Sequence, residues 1–124
     1  MELTRSMWTR VACGVTVLGL WGAGLASVEA PSDQERLERG RIIYEQRCLD
    51  CHGSEGRGDG RKALSLSPRP GNLISAATSA KSDDDLLKII ASGRPRTEMP
   101  AWKDELSDEQ QRDVLAYIRS LVRF

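Results

Sequence analysis

The sequence predicts an all-α domain of three helices joined by long irregular loops, and three observations carry that reading. Serines at positions 32, 82 and 107 open the strings SDQE, SDDD and SDEQ. In each, an acidic or amide side chain three residues on can answer the serine's cap, the signature of a helix start. Behind each start, apolar residues recur at spacings of three and four, the period of one helical face. No stretch alternates cleanly enough to read as a strand.

The first helix is expected over Asp33–Arg47, with Leu37, Gly40, Ile43 and Tyr44 facing inward. The second covers Asp83–Ser92 with Leu86, Leu87, Ile89 and Ile90 inside, and Gly93 stops it as a C-terminal cap does. Its leading aspartates suit the positive end of the helix dipole. The third runs from Asp108 to about Val122 through Val114, Tyr117, Ile118, Leu121 and Val122. Between them lie two irregular segments, Gly53–Leu73 and Arg94–Leu106, the latter carrying Pro95 and Pro100. Loops of that length in so small a domain wrap something or do something.

Residues 1–30 are of a different character. Arg5 and Arg10 precede Val11–Val28, an uncharged apolar run that would span roughly 27 Å as a helix. This is an export signal or an N-terminal membrane anchor. Gly22 and Gly24 shorten the run to the h-region of a signal peptide, with cleavage after Ala26; retention would make residues 11–28 a membrane tether. Either outcome puts residues 31–124 outside the cytoplasm, in the periplasm, free or anchored to the inner membrane. Cys13 falls inside the leader as a passive apolar residue.

Composition narrows the function. The 124 residues carry 18 basic and 18 acidic side chains, so there is no broad basic face and no nucleic-acid partner is expected. Aromatic residues make up only 5%, and two cysteines in residues 31–124 cannot build a disulfide framework. Something else has to supply core volume.

The string RCLDCHGSEGRGDG, residues 47–60, supplies it. Zinc needs about four ligands, and residues 31–124 hold no cysteine or histidine beyond Cys48, Cys51 and His52. A thioredoxin-like pair needs a βαβ setting that the helical pattern lacks. A disulfide across so short a loop stabilises little and leaves His52 without a purpose. Covalent attachment of a c-type haem uses all three residues: on one helical turn Cys48 and Cys51 reach the two vinyl groups while His52 turns toward the iron. A buried macrocycle also makes about ninety residues enough for a stable domain, and the chain without it largely unfolded.

The other face of the iron has few candidates. Met99 is the only thioether outside the leader, and Pro95 and Pro100 exclude the helical setting in which a methionine fills a core. Axial ligation by Met99 is the expectation, an open or lysine-occupied site the alternative. Trp102 is expected to pack beside the haem, with its indole N–H available to a propionate.

The order of a helix, CLDCHG, the loop EGRGDG, a helix ending IIASGRP, then EMPAW and the last helix LSDEQQRDVLAYIRSL resembles a class I monohaem c-type cytochrome of the small bacterial periplasmic type. The likeness runs from about Glu38 to Leu121. It implies a class I cytochrome c fold, three main helices plus long loops wrapped around one haem c attached through Cys48 and Cys51. It implies that the first and last helices cross near Gly40, Tyr44 and Tyr117. It also implies that a proline carbonyl accepts a hydrogen bond from His52; Pro70, in PGNL, fits that role and Pro68 is the alternative.

A six-coordinate haem has no vacant site for substrate. The expected function is therefore one-electron transfer by a carrier, not an enzyme, moving electrons between a dehydrogenase or respiratory complex and a terminal oxidase or reductase. The alternative is a membrane-anchored haem subunit of a larger redox complex. Its partners are redox proteins, and outside such a complex it is expected to be a monomer. Arg57, Arg61, Lys62, Arg69 and Lys81, with Arg94, Arg96 and Lys103, suggest a basic rim for an acidic partner.

Overall fold

A computed structural model describes residues 29–122; the leader, including Arg5, Arg10, Cys13 and the tether expected over residues 11–28, lies outside the described residues, as do Arg123 and Phe124. The described chain is helical, with α1 over Asp33–Arg47, a single turn α2 over Leu49–His52, α3 over Ala76–Ser79, α4 over Asp83–Ser92 and α5 over Asp108–Ser120. A 3-10 turn over Ala63–Ser65 interrupts the glycine-rich segment. Among the described residues there is no strand, and no helix is long and apolar enough to cross a membrane.

All three expected helices start at their serines. Ser32 and Ser107 form full reciprocal boxes with Glu35 and Gln110. At Ser82 the hydroxyl caps the Asp85 N–H, and the short Asp85 carboxylate takes the same hydroxyl at 2.8 Å. α5 stops at Ser120, short of the expected Val122. There the N–H groups of Leu121 and Val122 turn back onto the carbonyls of Ile118 and Arg119, three residues behind, a 3-10 tightening that closes the helix. The short α3, capped by Ser75, was not expected at all; four residues carry no readable period.

α1 and α5 cross backbone to backbone. A Cβ on Gly40 would collide with the carbonyl of Asp113, so only glycine allows this approach. On one side of the contact the Tyr44 and Tyr117 rings pack with centroids 5.3 Å apart at 57°. On the other, Asp113, 2% exposed, receives Arg39 Nε at 2.7 Å, with Arg36 Nε at 3.8 Å. The stripe of α1 that meets α5 is therefore 36, 39, 40, 43 and 44. Leu37, expected inside, is left on its margin at 36% exposure. Ile43, Tyr44, Leu86, Ile90, Leu106, Val114, Leu115 and Ile118 form the core.

From α1 the fold reaches the loops through Tyr44, whose buried hydroxyl donates to the carbonyl of Gly53 at 2.6 Å. The glycine loop then doubles back: Gly58 N–H donates to His52 O at 2.8 Å, and Leu73 N–H to Gly56 O at 2.7 Å. Gly58 has φ +78, and a Cβ there would collide with the carbonyls of Pro70 and Gly71. Loop 53–60 thus sets the height of segment 70–73.

Two substitutions, with Gly71→Ala as a control, check these contacts in the purified protein. Alanine at position 40 would gain about 1 kcal/mol of helix propensity if the crossing had room; we expect instead a net loss of about 1–3 kcal/mol in chemical denaturation from overpacking. Gly58→Ala should lose about 2–4 kcal/mol, from the positive φ and the collision together. Gly71→Ala, with nothing within 4 Å of its Cβ, should stay within about 0.5 kcal/mol.

Candidate functional site

The helices and the two loops enclose one cavity of about 450 Å³, within the usual size of cofactor sites, about 300–1,000 Å³. All six residues singled out in the sequence line it: Cys48, Cys51, His52, Pro70, Met99 and Trp102. Its apolar wall includes Ile89, Ile90, Val114, Leu115 and Ile118, and it takes in the last turn of α1 through Arg47 and Cys48.

Cys48 is both the C-cap of α1 and the start of α2, so the end of the longest helix delivers the Cys-x-x-Cys-His turn to the cavity. Its amide still bonds Tyr44 O at 2.8 Å, and the His52 N–H reaches Cys48 O at 2.9 Å. Cys48 and Cys51 form no disulfide, and burial, then the neighbouring Cys51, push the Cys48 thiol up to about 12. Among the described residues no group of three His, Cys, Asp or Glu side chains converges to hold a metal ion.

His52 Nδ1 lies 3.0 Å from the carbonyl of Gly71. A carbonyl only accepts, so the bond places the proton on Nδ1 and leaves the Nε2 lone pair free. Burial, opposed by this bond, lowers the His52 pKa and favours the neutral ring. The acceptor is Gly71, which corrects the expectation of Pro70 or Pro68. Gly58 presses against the Pro70 and Gly71 carbonyls together, and the next one along the chain is the one that faces the imidazole. Pro70 and Pro68 remain lining residues of the same wall.

The Met99 loop lines the same cavity. The amides of Trp102 and Lys103 bond Ile90 O and Ala91 O at 3.2 and 3.1 Å, clasping the loop to α4. Trp102 is half-buried with Arg47 Cζ 5.8 Å from its ring centroid, and its indole N–H has no hydrogen-bond partner among the described residues. Sequence reasoning missed Arg47 as a lining residue. Arg69, Lys81 and Arg94 also line the cavity and make no ion pair among the described residues. By contrast Arg57 is taken by Glu55, and Arg61 and Lys62 by Asp50, which removes three charges from the basic rim expected from sequence.

These features fit a haem. The chamber is apolar, two thiols three residues apart sit on one turn, an imidazole offers a free nitrogen, a thioether lines the same space, and unpaired cations stand ready for carboxylates.

Known proteins agree. The family described as cytochrome c oxidase, cbb3-type, subunit III matches residues 35–118. The chain is 33% identical over 97 residues to cytochrome c55X of Paracoccus denitrificans, covering 77% of this chain and 84% of that one. It is 27% identical over 93 residues to the cbb3-type cytochrome c oxidase subunit CcoP of Azospirillum brasilense, of which it spans only 30%. Among solved structures it is similar to a chain of the Kuenenia stuttgartiensis reducing HAO-like protein complex Kustc0457/Kustc0458, at a TM-score of 0.66 and 30% identity over 77% of this chain and 47% of that one. With a cytochrome c fold around a chamber suited to haem, and a family match over residues 35–118, the chain belongs to the cytochrome c family of cbb3-type subunit III and is an electron carrier rather than an enzyme.

Proposed function

We propose that the chain carries one haem c, bound covalently through Cys48 and Cys51 and ligated by His52 and Met99, and that it shuttles electrons in the periplasm. The observation that carries this is the pairing of His52, its Nδ1 engaged and its Nε2 free, with Met99 on the wall of one apolar cavity. Haem supplies one-electron exchange at iron. The chain supplies everything else. The Gly71 carbonyl fixes the imidazole tautomer and raises its basicity. Met99 favours the reduced state and raises the potential, and the apolar wall excludes water and pushes in the same direction. The Trp102 indole N–H would be available to a haem propionate.

Arg69, Lys81 and Arg94 line the cavity without an ion pair among the described residues, and with Arg96 and Lys103 of the Met99 loop they form the basic rim left after internal pairing. It suits an acidic patch on a donor or acceptor such as a dehydrogenase, a respiratory complex, a terminal oxidase or a reductase. The 30% coverage of the CcoP subunit favours a second reading, a haem domain permanently held in a larger membrane-anchored complex through residues 11–28. The 84% coverage of cytochrome c55X favours the free carrier. Cell fractionation with intact-mass analysis separates them: a soluble protein lacking the leader and carrying the added mass of one haem supports the carrier. A membrane-bound chain of full mass supports the subunit.

The absorption spectrum of the oxidised protein tests the ligation. The wild type should show the charge-transfer band of a sulfur bound to iron(III), and Met99→Ala should abolish it and open the reduced protein to carbon monoxide. No band in the wild type would remove Met99 as ligand. For docking, the rate of electron transfer to an acidic partner should fall as salt is added; a rate indifferent to salt would contradict the basic rim.

A further inference from the structure

We propose that Thr97 is the residue that positions Met99 in the cavity. The proposal rests on the ligand role given to Met99 above. Both backbone groups of Met99 are held: its N–H donates to Thr97 Oγ1 at 3.2 Å, and its carbonyl accepts from the Arg94 N–H at 3.2 Å. The Thr97 hydroxyl donates in turn to the Arg94 carbonyl at 2.8 Å, and the Thr97 N–H reaches the same carbonyl at 3.2 Å. These bonds close a ring through Arg94, Thr97 and Met99.

The turn beneath the ring is built for it. Pro95 stands at its second position and Arg96, at φ +61, at its third, the type II pattern. On the far side of Met99, Pro100 confines the methionine backbone to an extended conformation. The loop is pressed onto α4 at Gly93, where a Cβ would lie 2.6 Å from the Met99 carbonyl. Thr97 Oγ1 makes the only side-chain hydrogen bond to Met99 among the described residues. The remaining restraints are made by backbone, so the hydroxyl is the one that a change of side chain removes.

A thioether is a neutral, weakly held ligand, and its hold on iron depends on being kept in place beforehand. With the hydroxyl gone, Met99 N–H loses its acceptor and the loop gains freedom to swing away. A competing ligand then enters more easily.

The test is a titration of the ferric holoprotein with imidazole, followed through the sulfur-to-iron band, on four proteins: wild type, Thr97→Val, Thr97→Ser and Ser32→Ala. Valine keeps the shape and deletes the hydroxyl; serine keeps the hydroxyl. Ser32→Ala removes the cap of α1 and lowers stability without touching the loop. Thr97→Val should bind imidazole about tenfold more tightly than wild type, Thr97→Ser within about twofold of it, and Ser32→Ala like wild type despite a lower melting temperature. A Thr97→Val protein within about twofold of wild type, or a Ser32→Ala protein that tracks Thr97→Val, overturns the positioning role. A wild type with no sulfur-to-iron band at the outset overturns the Met99 reading and this proposal with it, and that result is read before any imidazole is added.

Discussion

The contact between Gly40 and the carbonyl of Asp113 governs the rest of the molecule. Two helices can approach this closely only where one side offers no Cβ, and the approach fixes the angle and depth at which α1 meets α5. From there the restraints run in one chain. α1 carries Tyr44, whose hydroxyl pins Gly53, and ends at Cys48, where the Cys-x-x-Cys-His turn begins. The glycine loop folds back so that Gly58 presses against Pro70 and Gly71, and the Gly71 carbonyl meets His52 Nδ1. A shift at the helix crossing therefore reaches the orientation of the imidazole through contacts that are mostly backbone and have little give.

The crossing is also where charge is buried. Asp113 is almost fully enclosed while Arg36 and Arg39 keep part of their surface in water, an arrangement that satisfies the carboxylate without burying a whole ion pair. Apolar side chains also line a chamber of about 450 Å³, the size of a cofactor site. A chain with so few aromatic residues gains core volume from a large flat group, the part that a haem held through Cys48 and Cys51 would fill.

Much of this was legible in the residues. The caps at Ser32, Ser82 and Ser107 located the starts of three helices because a cap is a local hydrogen-bonding pattern with few alternatives. The string at Cys48–His52 and the proline-flanked Met99 pointed to one chamber because their residue types have little other use in that setting. What escaped was decided by tertiary contact. Leu37 reads as an inner position by period, yet the backbone approach at Gly40 turns Arg36 and Arg39 inward and leaves it at the edge. Choosing Gly71 over Pro70 for His52 depended on loop packing one residue out of phase with any motif. The partial neutralisation of the basic rim rests on pairs, such as Arg61 with Asp50, whose members are eleven residues apart.

The central claim is that this chamber would hold a haem with His52 and Met99 as its two iron ligands. The most direct measurement is the proton NMR spectrum of the reduced holoprotein. A methyl group fixed over the face of the macrocycle feels its ring current, so a three-proton resonance should appear far upfield of the protein envelope and vanish in Met99→Leu. A reduced, haem-bearing wild type with no such resonance would contradict the account.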